Sequence, residues 1–177
     1  MFGPSMCVKS LQEWTGKTRV SVLFDSNENE FTDTALFDVL RNRPNVALVA
    51  VTKDDDVFGA FYSTPVSKQD EEFYDENIFA FSFESHGRCM TPQRFVPMAD
   101  QKDEAYVVFC KNDETFERFV LVGLEACGEF SLGNEQSKTF CENVSCAFEG
   151  IEDETLTGCN EWMHPYHCCR LIALQLQ

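Results

Sequence analysis

The side chains best suited to chemistry cluster near the C-terminus, where Cys159, His164, His167, Cys168 and Cys169 share one short stretch. Thiolate and imidazole are the ligands zinc prefers, four of them in a tetrahedron. Structural zinc sites show paired short spacings, and this stretch matches no standard finger. No metal is therefore expected, and these five residues are the candidates should one bind. The competing reading makes Cys168 and Cys169 the start of the last strand, one buried and one exposed. His164 and His167 are then surface loop residues. A second pattern, Asp25-x-Asn27-x-Asn29, resembles the first half of a calcium loop. That loop needs Gly at its sixth position and a bidentate Glu at its twelfth. Glu30 and Leu36 stand there instead. The pattern reads as an Asx-rich turn.

Nine cysteines and three histidines guarantee chance pairings of nucleophile and base. Nucleophilic catalysis also needs an orienting group and an oxyanion-stabilising turn. No local signature of that kind accompanies any pair. No Gly-rich loop cradles a phosphate, and no carboxylate pair stands out among thirty acids. The expectation is a protein that is not an enzyme, with no catalytic residues and no cofactor.

Charge narrows the partners. Fourteen Lys and Arg against thirty Asp and Glu leave the 177-residue chain at −16. Such a chain repels phosphate backbones on average, although folding could still gather Lys17, Arg19, Arg41 and Arg43. The acidic clusters Lys53-Asp54-Asp55-Asp56 and Asp70-Glu71-Glu72 read as solvated turns. The N-terminus, MFGPSMCVKSLQEW, lacks the basic and apolar regions of a secretory leader. A cytoplasmic protein with reduced thiols is expected, and nine is an odd number for a disulfide framework. The longest apolar runs, Val46–Val51 and Val120–Leu124, fall far short of the roughly 18 residues of a membrane span.

The elements that must position these groups follow from periodicity. Ser5 to Trp14 reads as a helix, with Cys7, Leu11 and Trp14 on one face, Ser5 as its cap and Gly16 as its stop. Arg19–Phe24 is a strand. Thr32–Arg43 reads as a second helix, its apolar face Leu36, Val39 and Leu40, with Arg41 and Arg43 in the last turn and Pro44 ending it. Val46–Val51 is continuously apolar, as in a strand covered on both faces. Val57–Tyr62 returns as its hairpin partner. In Ile78–Phe83, Phe79, Phe81 and Phe83 point one way and smaller residues the other. Tyr106–Cys110, Phe119–Leu124, Glu129–Leu132 and Leu171–Gln177 complete the strands. Ser63–Asn77 and Gly133–Tyr166 read as long irregular loops. The sum is an α+β fold, an antiparallel β-sandwich core flanked by a few short helices.

Val22-Leu23-Phe24-Asp25-Ser26, Val57-Phe58-Gly59-Ala60-Phe61 and Ile78–Phe83, in that order, resemble segments of the TLDc domain. Val22-Leu23-Phe24-Asp25-Ser26 before a polar turn and helix resembles its opening. Val57-Phe58-Gly59-Ala60-Phe61 resembles its FGG(F/Y) signature, with Ala60 for the usual second glycine. Ile78–Phe83 resembles its FLFSL strand, and Cys127-Gly128-Glu129-Phe130-Ser131-Leu132 its Gly-rich turn, reduced to a single glycine. Ala147-Phe148-Glu149-Gly150 resembles its (T/S)YE segment. Leu156-Thr157-Gly158 with the closing strand Arg170–Leu176 resembles its LTG…EVF ending, without the acidic residue. The resemblance runs from Lys17 to the C-terminus and implies a single domain over 17–177, preceded by the N-terminal helix within 1–16 read above from its spacing. It implies a non-enzymatic regulatory interaction module, linked to the oxidative-stress response, whose protein partner is the vacuolar ATPase. The alternatives are a stress-responsive nucleic-acid-binding regulator, which cysteine density favours and charge opposes, and a zinc-stabilised scaffold.

Overall fold

The computed structural model describes residues 4–111, 118–124, 127–134, 139–158 and 166–177. Helix α1 spans Pro4–Thr15, so Ser5 lies within its first turn rather than capping it. Gly16, at φ +69°, ends it, and its N–H still donates to the Gln12 carbonyl at 2.9 Å. Strand β1 (Val20–Asp25) follows. In α2 (Asp33–Leu40), the Thr32 hydroxyl caps the N-terminus by accepting from the Ala35 N–H. The buried residues are Asp33, Leu36, Phe37 and Leu40, and Val39 packs half-buried against the same core.

This helix stops earlier than its composition suggests. Arg41 is already extended (φ −52°, ψ 127°), and Asn42 adopts φ +60°. The Asn42 N–H donates to the Val66 carbonyl at 2.8 Å. A tertiary hydrogen bond, not Pro44, therefore ends α2. Arg41 and Arg43 project from an exposed turn instead of sitting on a helix C-terminus.

The remaining chain runs through β2 (Val46–Thr52), β3 (Val57–Tyr62), β4 (Phe73–Tyr74), β5 (Phe79–Glu84) and β6 (Gln93–Phe95). After a 3-10 turn at Lys102–Glu104 come β7 (Ala105–Phe109), β8 (Val120–Leu124), β9 (Gly128–Leu132), β10 (Cys141–Glu142), α3 (Val144–Ala147) and β11 (Cys168–Leu176). The two segments expected to be irregular thus hold β4, and β10 with α3. Two antiparallel sheets result, of order β1-β11-β2-β3-β5-β6 and β10-β9-β8-β7-β4. β11 pairs with β1 on one side and with β2 on the other.

Burial on both faces explains the apolar run of β2. Val46, Leu48 and Ala50 enter the core between the sheets, where Phe58, Phe109, Phe119, Phe130 and Phe148 also pack. Ala47 and Val49 turn to the opposite face of the six-stranded sheet. That outer face is where Phe79, Phe81 and Phe83 point, and α1 covers it through Leu11, Cys7 and Trp14. Trp14 stacks on Phe83 at 5.8 Å and meets Phe79 edge-on at 6.0 Å. Each such aromatic pair adds roughly 0.5–1.5 kcal/mol beyond area burial. No helix among the described residues is long and apolar enough to cross a membrane.

Candidate functional site

The segments whose composition suggested function mostly secure the fold. The Asp25 turn closes on itself: the Asn27 N–H donates to Asp25 Oδ1 at 3.0 Å, and the Asp25 N–H to Asn29 Oδ1 at 2.9 Å. Both oxygens of Asp25 accept from Arg170, Oδ1 at 2.9 Å. These bonds hold the Asp25 carboxyl below its ordinary range. The carboxylate that would open a calcium loop instead ties β1 to β11.

The C-terminal ligand candidates are dispersed as far as they are described. Cys159 and His164 lie outside the described residues. His167 is exposed, and its carbonyl accepts from the Lys53 N–H at 2.8 Å. Cys168 is buried and Cys169 exposed, pointing to opposite faces as β11 begins. Among the described residues no three His, Cys, Asp or Glu side chains converge on a common point.

The eight described cysteines are thiols, sorted by burial. Cys89, Cys141 and Cys168 are buried; Cys7, Cys110 and Cys127 are half-buried; Cys146 and Cys169 are exposed. Burial pushes the Cys110 thiol up to about 11 and raises that of Cys7. Thiolate is the reactive form. Timed alkylation of native protein at neutral pH, read by peptide mass spectrometry, is expected to label Cys146 and Cys169 first. Cys110 should lag behind them, and Cys89, Cys141 and Cys168 should need denaturant. Early labelling of Cys168 would contradict this packing.

At one end of the six-stranded sheet, Asp56 is buried rather than solvated. Asp55 takes φ +64° to make the turn, and the Asp56 N–H donates to the Thr52 hydroxyl at 3.0 Å. Arg88 Nη2 reaches Asp56 Oδ1 at 2.6 Å, and Arg88 Nε donates to the Thr155 carbonyl at 3.2 Å. His86 Nε2 stands 3.8 Å from the same carboxylate. One guanidinium thus locks three loops, 53–56, 84–90 and 150–158. Asp54, Asp55, Glu152 and Glu154 are exposed on them. Asp56 escaped the sequence reading because it looks like the fourth member of a charged run.

Burial raises the Asp56 carboxyl above its ordinary value, and Arg88 offsets only part of that. A folded-state value above the unfolded one means that protonation favours the fold. The contribution is therefore most favourable below the unfolded value and is lost as pH rises through the folded one. Arg88→Met should widen that window, because the offsetting charge is gone. We expect a loss of about 3 kcal/mol at pH 7, shrinking towards pH 4. Urea titrations at the two pH values check it; an equal loss at both would contradict it.

At the other end, a groove of about 410 Å³ opens beside the C-terminal end of α1. Trp14, Phe61, Ile78, Phe79 and Val96 give it apolar walls, and Lys17, Arg94 and Lys102 bring positive charge. Arg94 Nη1 donates to the Trp14 carbonyl at 2.8 Å, and its guanidinium lies over the Phe79 ring, 5.9 Å from the centroid. It thereby satisfies a helix-end carbonyl that has no partner within the helix. The buried Asp75 carboxylate shapes the far wall. It accepts from the Ser63 N–H, the Ser63 hydroxyl at 2.8 Å, and the Thr64 and Asn77 N–H groups at 3.0 Å each. The sequence reading missed this groove, since its residues come from six separate segments.

The result is a two-sheet α+β domain with locked loops at one end and a groove at the other. The TLDc domain family matches residues 6–164, nearly the whole chain, and the protein belongs to that family. The family is linked to resistance against oxidative stress, and its domains generally act as interaction modules. A search among curated proteins finds no match. The family-like segments have packing roles here. The Glu149 N–H donates to the Val96 carbonyl at 2.8 Å, and its carboxylate accepts from the Ala99 N–H at 3.1 Å. Gly158 turns at φ +73° beside Arg88.

Proposed function

We infer that the chain is a non-enzymatic regulatory module of the cytoplasm that acts in the oxidative-stress response by docking on the vacuolar ATPase. Family membership supports the stress link. The observation that carries the docking claim is the acidic loop end. Arg88 holds three loops in one arrangement, so Asp54, Asp55, Glu152 and Glu154 form a preorganised surface. Preorganisation lowers the ordering cost of binding, and a predominantly acidic patch, with Lys53 at its edge, steers a partner with a basic face.

The test is affinity capture from native lysate, at moderate salt and with nuclease, read by mass spectrometry. Enrichment of vacuolar ATPase subunits over a charge-matched control is expected. Asp54→Lys combined with Asp55→Lys should reduce it. Absence of ATPase subunits from the wild-type capture would sink the partner claim.

A further inference from the structure

We propose that the groove beside α1 is a second docking site, and that it takes an acidic peptide segment of a partner protein carrying an aromatic or aliphatic anchor. The inference rests on reading the chain as an interaction module, not on which partner the acidic end engages.

Charge carries the argument. In a chain at −16, Lys17, Arg94 and Lys102 line one groove in which Glu76 is the sole acid among the described lining residues. None of the three cations forms an ion pair with a carboxylate among the described residues. With Glu76 the one acid in the lining and the other twenty-nine outside it, a negative ligand gains here what it would lose over the rest of the surface.

Further cations stand at this end, while the exposed acids Asp103 and Glu104 adjoin Lys102 on its turn. The Arg19 N–H donates to the Gln177 carbonyl, and the Leu176 N–H to that of Asn45. These bonds bring the turns bearing Arg19, Arg41 and Arg43 to the same end, and all three arginines are exposed. That reach exceeds a small ligand and suits an extended acidic segment. The apolar walls give such a segment a place to seat one side chain, and the Asp75 hydrogen bonds keep the groove formed without a ligand.

A nucleic acid fits less well. Binding of single strands relies on aromatic faces open to stacking bases. Here Trp14 is stacked on Phe83, and Phe79 is stacked on Phe61. Phe61 and Phe79 are also buried, and the Arg94 guanidinium lies over the Phe79 ring.

The probe is a fluorescein-labelled synthetic peptide alternating aspartate or glutamate with leucine and phenylalanine, read by anisotropy against the full chain. Saturable binding that weakens with added salt is expected. The same peptide with lysine for its acids, or with serine for its apolar residues, should not saturate. Lys17→Glu combined with Lys102→Glu should weaken binding about tenfold or more, with an unchanged thermal melt. Should that variant lose its fold, Lys102→Ser on the exposed 3-10 turn carries the same test, with a smaller loss. Equal affinity in the variant and the wild type would overturn the proposal. So would equal binding of the serine peptide, or tighter binding of a labelled oligothymidine. ATPase capture that fails while the acidic peptide still binds removes the partner at the acidic end and leaves this site standing. Capture that succeeds while the peptide fails does the reverse.

Discussion

Gly59→Ala is expected to leave the chain unable to reach its native fold. Gly59 sits in the middle of β3, paired with Val49 on one side and Phe81 on the other. A methyl group there would overlap the Leu48 carbonyl oxygen and approach the Phe81 ring to 2.9 Å. The ring can turn, but the carbonyl belongs to β2, one of the two central strands of the larger sheet, and has no room to retreat. Overlap with backbone at the centre of a sheet leaves only strand separation as relief. The loss should exceed about 4 kcal/mol, in the range reserved for severe core disruption. A domain stable by only about 5–15 kcal/mol could lose most of that margin. The neighbouring Ala60 supplies the contrast. It is fully buried in the core between the sheets, so Ala60→Gly restores the family's second glycine and costs about 1 kcal/mol. Urea denaturation followed by circular dichroism distinguishes the two. A Gly59→Ala protein as stable as Ala60→Gly would refute the steric account.

Asp75→Ala should be the second large effect. One carboxylate there satisfies three backbone N–H groups and a hydroxyl, on Ser63, Thr64 and Asn77. Its removal strips the acceptor from all four donors, and charge-assisted bonds are about twice as strong as neutral ones. Unsatisfied buried donors cost roughly 1–3 kcal/mol each. Part of that is recovered by water entering from the groove, so a loss of about 4 kcal/mol is expected. Asp75→Asn keeps one acceptor oxygen and should lose about half as much. The same ranking should appear in peptide affinity, because Ser63 and Asn77 line the groove. Stability and affinity that move independently in these two variants would separate the hydrogen-bond network from the groove.

Several features were legible in the residues themselves. The alternation in Phe79, Phe81 and Phe83 and the unbroken run Val46–Val51 mark the strands and their burial, because side-chain direction in a strand repeats every two residues. The 7, 11, 14 spacing marks the buried face of α1 by the same logic at helical period. The stop at Gly16 was legible too, whereas the cap expected at Ser5 lies inside α1. The ordered segments, each weak alone, pointed to the TLDc family.

What only the tertiary structure decided is where separated segments meet. The end of α2 depends on a bond from Asn42 to Val66, which no window around residue 42 contains. The aromatic face of β5 was visible, but not that α1, rather than the second sheet, would cover it. Asp56 and Asp54 are neighbours of one type, yet Arg88 and the loop at 155 bury the first and leave the second in water. The groove gathers Lys17, Asn45, Phe61, Asn77, Arg94 and Lys102 from across the chain. Local sequence sets the period and the caps, which are properties of a few consecutive residues. Contacts between residues far apart in sequence exist only once the sheets close, and there Lys17, Arg94 and Lys102 come to line one groove of a chain whose overall charge is −16.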